Sequence, residues 1–268
     1  MIDSPYRVKP GTTVNLKKWS TDDTGDFKQK KDGEAESEKN RDKLREIQEV
    51  LYAESKQSLL VVLQAMDAGG KDGTIDYIFS GVNPQGCQVT SFKVPSTLEK
   101  EHDFLWRIHA AAPRDGMIGI FNRSHYESVL VERVHEIVPK SKWRKRYDHI
   151  NAFEQMLHDE GTRVVKFFLH ISKKEQLERI QARLDDPKKN WKYNPDDLTE
   201  RKRWDDYMEA FEDLLTRCSS DTCPWYVVPA DHKWYRNWVI SDILVRTLKE
   251  MNPKYPDPLP NLNKVKPI

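Results

Sequence analysis

Residues 58–79 read SLLVVLQAMDAGGKDGTIDYIF. Ser58–Ala65 is an apolar run without alternation, the pattern of a central strand covered on both faces of a parallel sheet. Met66–Thr74 is a glycine-bearing loop, and Ile75–Phe79 opens an apolar helical pattern. In the order strand, glycine loop, helix, backbone amides can curl around an anion while the helix N-terminus adds a favourable dipole. Ala68, Gly69, Gly70, Lys71, Asp72, Gly73 and Thr74 are therefore the candidate phosphate-binding residues, with Lys71 as a point charge on a transferring phosphate. The match to G-x-x-x-x-G-K-[ST] is imperfect. Ala65 stands where the first glycine belongs, and Asp72 stands where a Ser or Thr would hold Mg²⁺. Asp67 is the hard oxygen ligand left within the loop, unless it only caps the helix start.

Outward from this unit the chain keeps alternating. Further strands are expected at Gln88–Phe92, Met117–Phe121, Arg163–Ile171 and Trp225–Pro229. Helices are expected at Glu36–Lys56 (Leu44, Ile47 and Leu51 at helical spacing), Asp103–Ala112, Ile150–Asp159, Lys173–Leu184, Thr199–Cys218 and Lys233–Glu250. Alternation of this kind predicts an α/β fold, a five-stranded and mostly parallel sheet with helices on both faces. Sites in such sheets lie at the carboxyl ends of strands. That rule selects residues 66–74, the segment from Asn122 onward, and the polar loop 185–197, and it predicts one cleft. The organisation expected is an N-terminal arm (1–35), one domain (36–251) with a lid at about 183–200, and an extended proline-rich tail (252–268), since five prolines follow Asn252 and forbid a helix.

Composition excludes several classes. The 268 residues carry 44 Lys+Arg against 43 Asp+Glu, a net charge of +1, which removes the simplest case for a whole-surface polyanion binder. Mean hydropathy is low, −0.80, yet 8 Trp, 10 Tyr and 9 Phe are too many aromatics for a disordered chain. Three cysteines without a CxxC pair point to free thiols in a reducing cytosol. Neither a membrane span nor a signal peptide is visible, so a soluble cytoplasmic protein is expected.

A second motif, Phe121-Asn122-Arg123-Ser124-His125-Tyr126-Glu127, follows the third strand. Together with MDAGGKDGT it resembles the family-2 polyphosphate kinases, which read DAxGKxGT and then F(D/N)RSxY in that order. The likeness continues through HDFLWRIH (102–109), WKYNPDDL (191–198) and PWYVVPADHKWYRN (224–237). FNRSHYE, in place of FDRSWYN, is similar to the third class of that family, which accepts both AMP and ADP. The resemblance implies a thymidylate-kinase-like P-loop kinase fold with a helical lid. It implies transfer of a terminal phosphate between inorganic polyphosphate and AMP, ADP or ATP, with guanine nucleotides also within range. Mg²⁺, or Mn²⁺ in its place, would be the cofactor, and a homodimer or homotetramer the assembly. Carried over by motif, Asp67, Lys71 and Arg123 are the catalytic candidates. Asn122, Arg123 and Glu127 are the nucleotide-side candidates, and Asp67 is the metal ligand. Arg183, Lys189 and Lys192 of the lid join the loop on phosphate. Asn122 stands where many members have Asp and is a weaker ligand for a metal.

The lysine run Lys188, Lys189 and Lys192 is either a closing lid or a solvated loop, and its position after the fourth strand favours the lid. Lys140–Arg146 (KSKWRKR) is equally a groove extension or a solvated helix face, with a nucleic-acid patch as a further reading. His102, His109 and His125 lack metal-ligand spacing. Two rival functions remain open: an ATP-dependent nucleoside monophosphate kinase on the same fold, and a non-catalytic polyanion or nucleic-acid binder. No nucleic-acid partner is expected. The proposed cations should face one cleft while the acids, Asp67 and Glu127 apart, lie mostly elsewhere.

Overall fold

The computed structural model describes residues 2–260. Five parallel strands, β1 (Ser58–Ala65), β2 (Cys87–Ser91), β3 (Ile118–Asn122), β4 (Thr162–His170) and β5 (Trp225–Pro229), form one sheet in the order β2-β3-β1-β4-β5. The glycine-loop strand is thus central, with β3 on one side and β4 on the other. Leu59 to Leu63 are fully buried, as a strand covered on both faces requires. The helices are α1 (Lys30–Glu54), α2 (Lys71–Phe79), α3 (Thr97–Lys100), α4 (Trp106–Ala110), α5 (Val131–Val134), α6 (Lys140–Asp159), α7 (Lys173–Asp185), α8 (Asp196–Lys202), α9 (Trp204–Cys218) and α10 (Lys233–Met251).

Several expected boundaries move, each for a local reason. α1 begins at Lys30, six residues before the expected Glu36, because Gly33 lies against the Trp234 indole of α10 and any Cβ there would overlap the ring. α6 begins at Lys140 instead of Ile150, since Trp143, Arg146 and Tyr147 turn inward. The single helix expected over Thr199–Cys218 is two helices, parted at Arg203, whose guanidinium donates to the Val134 carbonyl (2.9 Å). Only Trp106–Ala110 of the expected 103–112 segment is helical.

The N-terminal segment is woven into the fold. Val8 N–H donates to Trp225 O (2.9 Å) and Val227 N–H to Tyr6 O (2.8 Å), so residues 6–8 flank β5 as an antiparallel bridge. Ile2, Tyr6, Val8, Val14 and Leu16 are buried with the core. Residues 252–260 carry no helix or strand, and the rest of the expected proline-rich tail, 261–268, lies outside the described residues. None of the described helices is long and apolar enough to cross a membrane. Cys87, Cys218 and Cys223 are free thiols, and burial pushes the first two up to about 12 and Cys223 to about 11.

Candidate active site

The loop leaving β1 needs its glycines. A Cβ on Gly69 would stand 2.5 Å from Ala65 Cβ and 2.7 Å from Met66 O, and Gly70 is left-handed at φ 100°. Ala65, in the place of the usual first glycine, is the atom that Gly69 packs against. α2 begins at Lys71, whose ammonium donates to Ala65 O (3.1 Å). Burial, then the neighbouring Arg123, lowers the Lys71 ammonium to about 8. Asp72 and Gly73 are exposed on the first turn of α2. Thr74 is fully buried and its Oγ1 donates to Gly70 O (3.0 Å), closing the helix start.

Parallel pairing sets Asn122, at the end of β3, beside Leu63 of β1. The motif after β3 is thereby carried to the mouth of the loop. Arg123 adopts a left-handed backbone (φ 63°), with its N–H on Leu63 O (3.1 Å). Its guanidinium donates to Asp67 (2.6 Å) and Glu127 (3.3 Å), and Glu127 above all raises its pKa further. Asn122 Nδ2 donates to Asp72 Oδ1 (2.5 Å), so an aspartate at 122 would face a like charge. Beneath the motif lies a buried polar cluster. Lys166 of β4, fully buried, donates to Glu154, to Tyr126 OH (3.1 Å) and to Cys218 O (2.7 Å). Glu154 in turn accepts from Tyr126 OH (2.9 Å) and meets His125 Nε2 (3.1 Å). The two residues between Ser124 and Glu127 are anchored from below.

The third segment, the lid, reaches the same place. Arg183, on the last turn of α7, donates to Asp197 (2.8 Å) and to Lys192 O (3.1 Å). Asp197 is pushed up by burial and then by the negative field of Asp67, with Arg183, Arg123 and Lys71 opposing. The three predicted segments therefore meet at the carboxyl edge of the sheet. The lid lysines have separate surroundings. Lys189 pairs with Asp186 (2.8 Å) and lies close enough to Lys233 to disfavour its charge. Lys192 stands over the exposed Trp191 ring, and Lys188 is exposed.

More acids enter the cleft than the two expected. Arg123, Arg183 and Lys189 each meet a carboxylate, and Asp72 and Asp197 join Asp67 and Glu127 within the cleft. Cations placed by long side chains need partners to hold one geometry, and carboxylates supply them. Two of the seven residues of the KSKWRKR run are structural. Trp143 lies under Arg133, and Arg146 is buried on Ser128 O (2.8 Å) and Glu132 (2.7 Å). His102 stacks on Trp106 and His125 is held by Glu154, in line with non-metal roles. Among the described residues no cluster of three or more His, Cys, Asp or Glu is placed to hold a metal.

Two arginines escaped the sequence reading. Arg179 of α7 donates to Ala68 O (3.3 Å), Gly69 O (2.9 Å), Ala230 O (2.5 Å) and Glu175 (2.7 Å). Arg236 of α10 is 2% exposed, and a Cβ on Gly70 would overlap its Nη1. The only signal for Arg236 was its place in the KWYRN stretch. Arg179 had none, because an arginine on a charged helix reads as solvated.

A parallel sheet whose central strand feeds a glycine loop, a lysine and a helix, with an arginine after the neighbouring strand β3 turned onto the loop, defines a P-loop kinase fold. The chain belongs to the polyphosphate kinase 2 (PPK2) family, whose sequence profile matches residues 27–256. It is 53% identical over 255 residues to the AMP/ADP-polyphosphate phosphotransferase of Meiothermus ruber, covering 94% of this chain and 95% of that protein. It is 46% identical over 267 residues to the ADP-polyphosphate phosphotransferase of Rhodopseudomonas palustris, covering 95% and 92%. The crystal structure of polyphosphate kinase 2 from Arthrobacter aurescens TC1 superposes with a TM-score of 0.92 at 40% identity, over 96% of this chain and 93% of that one.

Proposed function

We propose that this enzyme is a polyphosphate-dependent nucleotide kinase. It transfers a terminal phosphate between inorganic polyphosphate and nucleoside mono- and diphosphates, AMP to ADP and ADP to ATP. The observation that carries this reading is Arg123, a single guanidinium spanning Asp67 of the phosphate loop and Glu127 of the following turn, in a chain half identical to an enzyme named for that reaction.

The chemistry asks little covalent work of the protein. A terminal phosphate oxygen of the nucleotide attacks the end phosphorus of the chain in line. The bond to the bridging oxygen breaks, and the shortened chain leaves with the electron pair. The attacking group is already an anion, so no strong base is needed. What remains is alignment and neutralisation of charge on the transferred group. The loop amides and Lys71 hold phosphate oxygens, and the rigid fork of Arg123 is aimed by its two carboxylates. Asn122 and Glu127 face the nucleotide side. Closure of the lid through Arg183 excludes water and limits hydrolysis of the donor.

The residues also fit a divalent cation, Mg²⁺ with Mn²⁺ in its place. Mg²⁺ is content with one or two carboxylates plus substrate phosphates and water. Asp67 supplies a hard oxygen, and the negative field it casts on Asp197 is the environment a cation would relieve. Held by Asp67, it would supply positive charge against the charge developing on the transferred group. The buried free thiols suit a reducing cytoplasm, and a dimer or tetramer is the assembly we favour.

The test incubates the protein with AMP, ADP, GMP or GDP, each against polyphosphate and Mg²⁺ and separately against ATP. Product from AMP and ADP with polyphosphate is expected. Product from AMP only when ATP is the donor would replace this reading with an ATP-dependent monophosphate kinase. Salt-dependent DNA or RNA binding without any transfer would mark a non-catalytic binder.

A further inference from the structure

The phosphate loop is flanked by two arginine groups of different character. On the β3 side, Arg123 is bracketed by Asp67 and Glu127, and Asp72 stands on Asn122. On the β4–β5 side lie Arg179, Arg236 and Lys233, close enough for each arginine to disfavour the Lys233 charge. Glu175 pairs with Arg179 there. The Asp231 carboxylate is turned to Thr21 Oγ1 (2.8 Å) and Ser172 N (2.8 Å).

Within that side, Arg179 and Arg236 differ again. Arg179 is engaged by four backbone carbonyls at 3.3 Å or less and by a carboxylate, which is how a structural arginine is satisfied. The Arg236 Nε and Nη2 share one neutral acceptor, Asn237 Oδ1, at 3.1 and 2.8 Å. Among the described residues no carboxylate forms an ion pair with Arg236. Burying a cation without a counter-charge costs several kcal/mol in general, so such a group persists in a fold for a reason other than stability. Burial and Arg179 lower its pKa to about 9, which leaves it charged at neutral pH.

We propose that Arg236 is a substrate-compensated charge: a buried guanidinium against Gly70 that weakens the fold and is neutralised when the inorganic polyphosphate chain seats on the β4–β5 side of the phosphate loop. The occupant follows from charge density. A polyphosphate carries a negative charge on every residue of a linear chain, whereas a nucleotide carries a neutral base and ribose beyond its phosphates. The under-neutralised side suits the former, and the carboxylate-laced β3 side suits the latter. This assignment rests on the polyphosphate reading given above and adds the residue and the side. Arg236 is a positioning charge, acting through the field at Gly70.

The test uses the full chain with Arg236→Met and Arg236→Lys. Melting temperature is measured alone, with inorganic tripolyphosphate and with AMP, and the tripolyphosphate Kd by calorimetry. The Met variant should melt at or above the unaltered protein. Its tripolyphosphate Kd should rise about tenfold or more, the loss of the field of one buried charge at Gly70, while its AMP-induced shift stays unchanged. The Lys variant should lie between. A Met variant that melts lower, fails to fold, or binds tripolyphosphate as before overturns the inference, and parallel loss of AMP binding overturns the choice of side. If the unaltered protein neither binds tripolyphosphate nor uses polyphosphate, the functional reading falls as well. If it does both while Arg236→Met binds equally, only this inference falls.

Discussion

Arg123 and Lys166 are both cations held by carboxylate, in two different settings. Arg123 lies at the cleft mouth, more than a third of its side chain exposed, spanning Asp67 and Glu127. Lys166 is sealed in the sheet, paired with Glu154 and hydrogen-bonded to a hydroxyl and a carbonyl. The exposed pair is screened by water and adds little to stability. Its worth is the aim it gives a guanidinium over the phosphate loop. The buried pair is the reverse. It touches no substrate, and breaking one half leaves an uncompensated charge in a low dielectric. Function and stability are thus divided between two charge clusters joined by the short turn His125–Val129.

The division can be broken experimentally, and Lys71→Ala is the severest attempt. Loss of a charge-stabilising cation should cut turnover by ~10³ or more, with the melting temperature little changed, as a coupled nucleotide assay and a thermal melt would show. Substantial residual turnover would remove Lys71 from the site. Next, Glu154→Gln should lower stability by about 3–5 kcal/mol in denaturant unfolding. Adding Lys166→Met should recover much of that, because an apolar replacement of both partners is tolerated. If the double variant is no better than the single, the cluster is not an ion pair in the energetic sense.

Arg123→Lys comes third. It keeps the charge but cannot span both carboxylates, so kcat should fall about tenfold to a hundredfold, well short of Lys71→Ala, with an unchanged melt. A lysine that works as well would show that charge alone matters at the cleft mouth. The mildest test is pH. Lys71 titrates at about 8 in the fold against an ordinary 10.5. The cation is the working form, so kcat/KM should hold below pH 8 and fall up to about tenfold per unit above it. Stability moves the other way. From pH 8 to 10.5 the unfolded chain binds more protons than the folded one, so folding becomes more favourable as pH rises. A kcat/KM that climbs through this window would contradict the assignment.

Much of this was legible from the chain. Apolar runs located β1, β3, β4 and β5 to within a residue, since strands covered on both faces need such runs, whereas β2 is a polar, largely exposed edge strand. The glycine loop announced Lys71, and the FNRSHYE stretch announced Asn122, Arg123 and Glu127. Other features were hidden. The break at Arg203 depends on a carbonyl, Val134 O, that belongs to a distant segment. The early start of α6 was masked because Arg146, a residue usually solvated, is buried on Glu132. The Thr74 hydroxyl also back-bonds to Gly70 O one turn earlier, a contact the motif did not announce. The near-zero net charge read as segregation between cleft and surface and did not announce that Asp72 and Asp197 join the cleft.

Sequence alone determined the order strand, loop, helix and the local chemistry of the loop, because glycine conformations and a helix N-terminus are properties of consecutive residues. Tertiary structure decided which charges meet. Arg179 lies 110 residues from Gly69, and Arg236 belongs to the helix after β5. Only the strand order β2-β3-β1-β4-β5 brings them to one flank of the loop and Arg123 to the other. Whether a buried arginine is paired depends on what lies within a few ångströms through space, and that distance is set by the sheet.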